Sequence, residues 1–370
     1  MWATHPPHYE REQNLKRRYL RSPFDTRSPW LLFREPEVVR ARVTERYYRT
    51  LFEVPSDLCL SDPEEVQAVI EGERSEMTYD PCYLGAYDDR FIEPGDLDAL
   101  TALADHETCD KEQLAHTRAG LFDADSARWI EANHQRRQEE QILAGLSPAV
   151  DFEFRGQRYL PGDARRMRNQ VRRELDEDDR RWAQFDRKVF LVHYRASRTL
   201  RQEVSQELVE RYRFHLTAQQ FLKQVSAQHD WVASVLGYLS RVTELTGDEY
   251  RTIVHGALDA HELLSRSLTV ASSVSLPELK HVAAGKSLGQ FLLRQRTVAD
   301  FHLNEKELRP TRLFRTLDKF ARELGEMRDR LRRVHFKSLG GLLALQESIW
   351  KTTAAVNEKT ETSRVSGANA

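Results

Sequence analysis

Residues 163–192, DARRMRNQVRRELDEDDRRWAQFDRKVFLV, decide the fold class. Met167, Val171, Leu175, Trp182, Phe185, Val189 and Val192 recur at spacings of 3, 4 or 7. An α-helix turns once in about 3.6 residues, so these side chains form one apolar stripe. With Asp163 as N-cap, the stripe predicts a helix of about 35 residues, far above the mean of about 11–12. Such a helix needs partners, and the chain downstream supplies them. LRQEVSQELVERYRFHL (200–216), QQFLKQVSAQHDWVASVLGYLSRV (219–242), GDEYRTIVHGALDAHELLSRSL (247–268) and PTRLFRTLDKFARELGEMRDRLRRV (310–334) repeat the i, i+3/i+4 pattern. Breaks such as Thr246-Gly247-Asp248 and Arg309-Pro310-Thr311 separate them. The expectation is an antiparallel helical array or bundle over about residues 163–350. No fixed 20–50-residue repeat marks a solenoid. Within the stripe, RRELDEDDRR (172–181) places acids and bases at helical pairing distances, the pattern of a salt-bridged, water-facing helix.

Upstream, the reading is of a mixed, mostly helical connector over residues 22–162. DFEFRGQRYLPGD (151–163) predicts a short β-hairpin near 151–160, with Phe152 and Phe154 alternating, Arg155-Gly156 turning and Tyr159 returning. EPEVVRARVTERYYRTLF (35–52) has Pro36 at a helical N1 position, with Val39, Val43, Tyr47 and Leu51 on one face. SDPEEVQAVIEGE (61–73) is a helix start, with Ser61 or Asp62 as N-cap and acids in the first turn. SPFDTRSPWLLF (22–33) reads as a docking strand or packed loop. YDPCYLGAYDDRFIEPGDLDAL (79–100) reads as a packed irregular connector rather than a site, giving way to a helical stripe at Leu97, Leu100 and Leu103. The polar residues 351–370 are expected to be a disordered tail. The fold class is therefore mainly α, a small irregular N-terminal region with a hairpin followed by the helical bundle.

The chain has 370 residues, 40% hydrophobic and 31% charged, and its mean hydropathy of -0.65 suits a helix-rich protein with solvated faces. Lys plus Arg (56) nearly balance Asp plus Glu (58), so no net field draws nucleic acid or an anionic membrane. No nucleic-acid partner is expected. Cys59, Cys82 and Cys109 are too few and too scattered for a disulfide framework. No apolar run approaches the roughly 18 residues that span a bilayer. The first twenty residues are polar and basic, without the apolar core of a signal peptide, so the chain as written reads as cytoplasmic.

Helical zinc hydrolases carry two His at i, i+4 with a Glu beside the first. His106-Glu107 leads to Asp110 and His261-Glu262 to Ser265, so neither completes HExxH. DHETCDKEQLAH (105–116) brings His106, Cys109 and His116 close in sequence, but no fourth ligand is evident and a solvated helix accounts for them. His255 and His261 are six apart, on different faces, and receive no role. AAGKSLGQ (283–290) lacks the first Gly and the strand of a phosphate loop. No metal site is assigned within the chain.

At the other end, THPPHYEREQNLKR (4–17) resembles the C-terminal signature of M48-family zinc metallopeptidases of the HtpX and Ste24 types. In that family a Thr/Ser-His-Pro-Pro loop, followed four residues later by Arg, lies downstream of the HExxH helix and of a Glu third ligand. The matching positions are Thr4, His5, Pro6, Pro7 and Arg11. SPWLLF and YDDRFIEPGDL look like the C-terminal extension of some bacterial relatives. The resemblance implies that His5 donates a hydrogen bond to the developing oxyanion. It implies that Thr4, Pro6, Pro7 and Arg11 are structural, Arg11 pairing with an acid near the third ligand. The two His and two Glu that hold zinc and activate water in the family have no counterpart here. The expectation is thus residues 1–21 as the end of a peptidase domain. Zinc and peptide-bond hydrolysis then belong to a complete protein and neither to this chain alone. The helical region would bind a peptide substrate, a protein partner or the missing catalytic half. If that half carries transmembrane helices, as in many relatives, the protein is membrane-tethered. The alternative is a non-enzymatic helical scaffold for a protein partner.

Overall fold

The computed structural model describes residues 28–51, 61–76, 79–88, 90–106, 110–145, 151–242, 244–279, 286–294, 297 and 303–367. The fold is mainly α, with a two-stranded antiparallel hairpin. Among the described residues no helix is long and apolar enough to cross a membrane. The chain divides into two compact units, Met1–Glu71 and Gly72–Ala370.

In the first unit, Ser28 caps a 3-10 turn at Pro29–Leu32, and α1 follows at Pro36–Leu51. Residues 22–27 of the stretch read as a docking strand or packed loop lie outside the described residues; over Pro29–Leu32 the structure has the turn instead. Two prolines flank too few residues for a ladder, and Leu31 and Leu32 are 73% and 86% exposed. Pro36 opens α1 as expected, yet Val43 and Tyr47 of its stripe are exposed. Helix α2, Pro63–Glu76, begins in this unit; Asp62 is its cap, accepting from the Glu64 N–H at 2.8 Å.

The second unit contains α3 (Leu97–His106), α4 (Lys111–Ala119), α5 (Ala124–Gly145), β1 (Phe152–Phe154), β2 (Gln157–Tyr159) and α6 (Ala164–Arg198). It continues with α7 (Gln202–Leu239), α8 (Gly247–Ser273), the short α9 (Leu288–Leu293) and α10 (Leu313–Gly367). The hairpin has the expected register, Phe152 opposite Tyr159, and both Arg155 (φ 48°) and Gly156 (φ 75°) adopt the left-handed conformation of a tight two-residue turn. Phe152 and Phe154 bury one face against Leu143, Met167 and Val171, where α5 and α6 part.

Helices α5 and α6 are antiparallel: Trp129 packs at a tilt against Trp182 at one end and Glu140 meets Arg168 at the other. Helix α6 turns back through Thr199–Arg201 into α7, whose Tyr212 packs edge-on against Phe190. Helix α10 runs antiparallel to α7, joined at Tyr212–Gln346 and His229–Arg328. One apolar cluster combines the later part of α7 with α8, α9 and the start of α10, from Phe214 to Val334. A second combines α3, α4 and α5 with the ends of α6 and α10 and the start of α7. Helices α7 and α10 thread both.

Several expectations are corrected. Asp163 occupies the N-cap position of α6 but makes no capping bond there; its carboxylate instead meets Arg166 at 3.0 Å. Stretches 200–216 and 219–242 are one helix of 38 residues, because Thr217 and Ala218 break nothing and Ala218 is buried. The charged stretch 172–181 is mostly exposed, as expected, but the ion pairs it makes run to α5 rather than along its own helix. Arg172 bonds Glu140, Glu174 and Asp178 bond Arg136, and Asp179 bonds Arg137, so the charges stitch α6 to α5. Helix α10 continues past residue 350 to Gly367, into the polar stretch expected to be disordered. Extending an existing helix costs far less than nucleating one, and Ala354, Ala355, Glu358 and Lys359 are good helix formers.

Candidate functional site

The segment Arg90–Glu93, between the 3-10 turn at Pro81–Tyr83 and α3, is held against α6 and α7 by bonds of its own backbone and side chains. Asp80 caps the turn through the Cys82 N–H at 2.9 Å, and Leu84 and Gly85 then reverse the chain with φ of 56° and 74°. Gly85 suits the turn: an added Cβ would lie 3.2 Å from Asp88 and 3.3 Å from His134, whose ring N–H donates to the Gly85 carbonyl at 3.1 Å. Tyr79 and Tyr83 pack edge-on against the buried Tyr87, whose hydroxyl burial pushes far up from its ordinary pKa.

Arg90 enters the interior beyond this turn. Its guanidinium donates to both oxygens of Asp186 at 2.8 and 2.6 Å, to the Phe91 carbonyl at 3.2 Å and to the Ala86 carbonyl. Its Cζ also lies over Trp182, 3.9 Å from the ring centre. The two charged side chains are only 5% and 3% exposed. A buried ion pair is stable only when its remaining hydrogen-bonding capacity is met, and Asp186 meets it with a third bond, from the Glu93 N–H at 2.7 Å. Next to it, the Gln219 amide accepts from the Ile92 N–H at 3.0 Å and donates to the Ile92 carbonyl at 2.9 Å, replacing a missing strand partner. Glu93 reaches Lys223 at 2.5 Å. A second buried carboxylate, Asp178, accepts from Trp129, Asn133 and Arg136.

A cleft of about 300 Å³ lies beside this junction. Phe91, Trp182 and Ala183 give it apolar walls, and the ion pairs Glu93–Lys223 and Arg137–Asp179 line it with both signs of charge. A smaller cavity of about 140 Å³ shares Arg90 and Phe91 with the cleft and extends to α10. The Phe91 ring carries Lys223 Nζ 4.9 Å from its centre and meets His335 edge-on at 5.3 Å.

His335 belongs to a polar layer where the two apolar clusters meet. The Ser338 hydroxyl donates to the His335 carbonyl at 3.0 Å, so its oxygen accepts from Nδ1 of His215 at 2.7 Å. The His215 and His335 rings lie 4.7 Å apart. Burial drives the His215 pKa well down and that of His335 down to about 4, leaving both rings neutral at pH 7. A Ser–His bond invites a nucleophilic reading, but His215 is fully buried and the hydroxyl hydrogen faces a carbonyl, so no substrate reaches the pair.

Thr4, His5, Pro6, Pro7 and Arg11 lie outside the described residues, as do Cys59 and Cys109. His106 ends α3 and His116 lies in the separate α4, so DHETCDKEQLAH is not one helix. Cys82 is a free, exposed thiol whose pKa burial and the neighbouring Asp80 push up to about 11. Among the described residues no three His, Cys, Asp or Glu side chains converge as a metal-binding group. The Arg90–Glu93 segment is the packed irregular connector expected, but the Arg90–Asp186 pair it makes is not foreseen by that reading. Its signal lay in α6, where Asp178 and Asp186 stand four residues either side of Trp182, on the apolar stripe. Compared with known protein families, curated proteins and solved structures, the chain matches none.

Proposed function

We propose that this chain is the C-terminal portion of an M48-like zinc metalloendopeptidase whose helical unit receives a polypeptide, substrate or partner, while hydrolysis belongs to the complete protein. The observation that carries the reading is the sequence Thr4-His5-Pro6-Pro7 followed by Arg11. In this reading His5 donates a hydrogen bond to the oxyanion that forms during peptide hydrolysis, and Arg11 braces the loop. The metal is held by residues this chain lacks. The cleft beside Arg90–Glu93 supports the receiving role, since paired charges flanking aromatic walls suit a peptide backbone with mixed side chains.

The test looks in frame upstream of Met1 for an HExxH and Glu-ligand segment and joins any such segment to this chain. The expected result is chelator-sensitive cleavage of an unfolded protein, with His5→Ala lowering kcat by about 100- to 1,000-fold, the usual loss of one oxyanion donor. Chelator-sensitive proteolysis by residues 1–370 alone would overturn the reading. A second reading, a free-standing helical scaffold, is favoured by the compactness of Gly72–Ala370 as one unit around α6, α7 and α10. A stop codon and a ribosome site directly before Met1 would select it.

A further inference from the structure

The cavity of about 140 Å³ is walled by Arg90, Phe91, Leu222, Arg332, His335 and Phe336. Only one of these residues brings an unbalanced charge. Arg90 is committed to Asp186, and His335 is neutral at pH 7. Arg332 is exposed and makes no ion pair among the described residues, whereas Arg328 and Arg330 on the same helix pair with Asp230 and Glu326. Two phenyl rings and a leucine thus sit beside one available guanidinium, whose planar fork matches a carboxylate in two parallel bonds. The volume resembles the roughly 150 Å³ apolar cavity known to hold one benzene ring.

We propose that this cavity receives the last residue of a polypeptide, its apolar side chain among Phe91, Leu222 and Phe336 and its α-carboxylate on Arg332. A free amino acid offers the same carboxylate and side chain. It also carries an ammonium next to the carboxylate, and among the described residues the walls of this cavity hold no acid to meet that charge beside Arg332. In a polypeptide that nitrogen is a neutral amide, and the preceding residues can continue towards the larger cleft, which starts from the same Arg90 and Phe91. The inference rests on the reading of the helical unit as a polypeptide receiver and names what it grips.

Calorimetric titration of the full chain with Ala-Ala-Ala-Phe tests it, comparing the free acid with the C-terminal amide, and both with N-acetylphenylalanine and phenylalanine. The acid is expected to bind about 10- to 100-fold more tightly than the amide, the range of a charge-assisted hydrogen bond. Arg332→Gln, at an exposed position where circular dichroism should be unchanged, is expected to bind acid and amide alike. Phe336→Ala is expected to weaken both while preserving their ratio. Binding of neither peptide, equal binding of both by the unmodified chain, or an Arg332→Gln chain that still prefers the acid would each overturn the proposal. N-acetylphenylalanine or phenylalanine binding as tightly as the tetrapeptide would overturn the polypeptide assignment in favour of a small carboxylate. Chelator-sensitive proteolysis by the completed peptidase is read separately, so failure of the carboxylate grip is distinguishable from failure of the peptidase reading.

Discussion

Acidification from pH 7 to pH 5 should loosen the helical unit before its carboxylates titrate. His193, His215 and His335 are all buried on α6, α7 and α10, and desolvation lowers the pKa of each, to about 4 for His193 and His335. Among the described residues no acid bonds these rings to balance a proton. His193 Nδ1 donates to the Val189 carbonyl at 2.8 Å, and Arg118 adds a repulsive positive charge. His215 faces Ser338 and His335; His335 faces Phe91 and His215 and shares a cavity wall with Arg90 and Arg332. A histidine with a folded pKa below its unfolded value near 6.5 binds protons better when unfolded. Stability is therefore full above about pH 6.5, falls as pH drops, and stops falling below the folded pKa near 4. For a shift from 6.5 to 4, linkage gives a loss of about 2 kcal/mol per histidine between pH 7 and pH 5. His193 and His335 together then account for about 4 kcal/mol, with His215 adding in the same direction, against a usual total of 5–15 kcal/mol. Urea denaturation followed by far-UV circular dichroism at pH 7, 6 and 5 measures it. His335→Gln, which removes one titrating ring, should reduce the pH slope by up to about 1.4 kcal/mol per pH unit. Equal stability at pH 7 and pH 5, or an unchanged slope in the variant, would refute the argument.

Asp186→Asn should destabilise the fold by about 3–5 kcal/mol, since the Arg90 charge stays buried without its partner, while Arg90→Met with Asp186→Leu should recover most of that loss. The denaturation midpoints of the single and double variants check both. Two glycines should respond with opposite signs. Gly289→Ala places a Cβ 2.4 Å from Ser272 Oγ and 2.6 Å from its backbone nitrogen, forcing α9 from α8 at a cost of about 1–3 kcal/mol. Gly340→Ala, in the middle of α10 with nothing within 4 Å of the new Cβ, should stabilise by about 0.5–1 kcal/mol in the same assay.

The difference between α6 and the Arg90–Glu93 junction explains which parts of this molecule were legible in its sequence. The stripe from Met167 to Val192 is local: its period, its length and the hairpin before it follow from residues within one or two turns of each other, and α6 forms where that period predicts. Asp62 could likewise be assigned as a cap because its partner, the Glu64 N–H, is two residues away. The junction has no such locality. Arg90 and Asp186 are 96 residues apart, and Ile92 and Gln219 are 127 apart, so neither pair leaves a periodic trace. What the sequence does carry is a local inconsistency. Asp178 and Asp186 stand where the stripe calls for apolar side chains, and a buried carboxylate requires donors from outside its own helix. The same reasoning accounts for RRELDEDDRR. Charges spaced for pairing within α6 found partners on α5 instead, because burying the apolar side of α6 brings Arg136, Arg137 and Glu140 alongside. An acid on an apolar stripe is therefore a sign of a tertiary anchor. Here the two such acids of α6 bracket Trp182, the aromatic wall of the cleft proposed to receive a polypeptide.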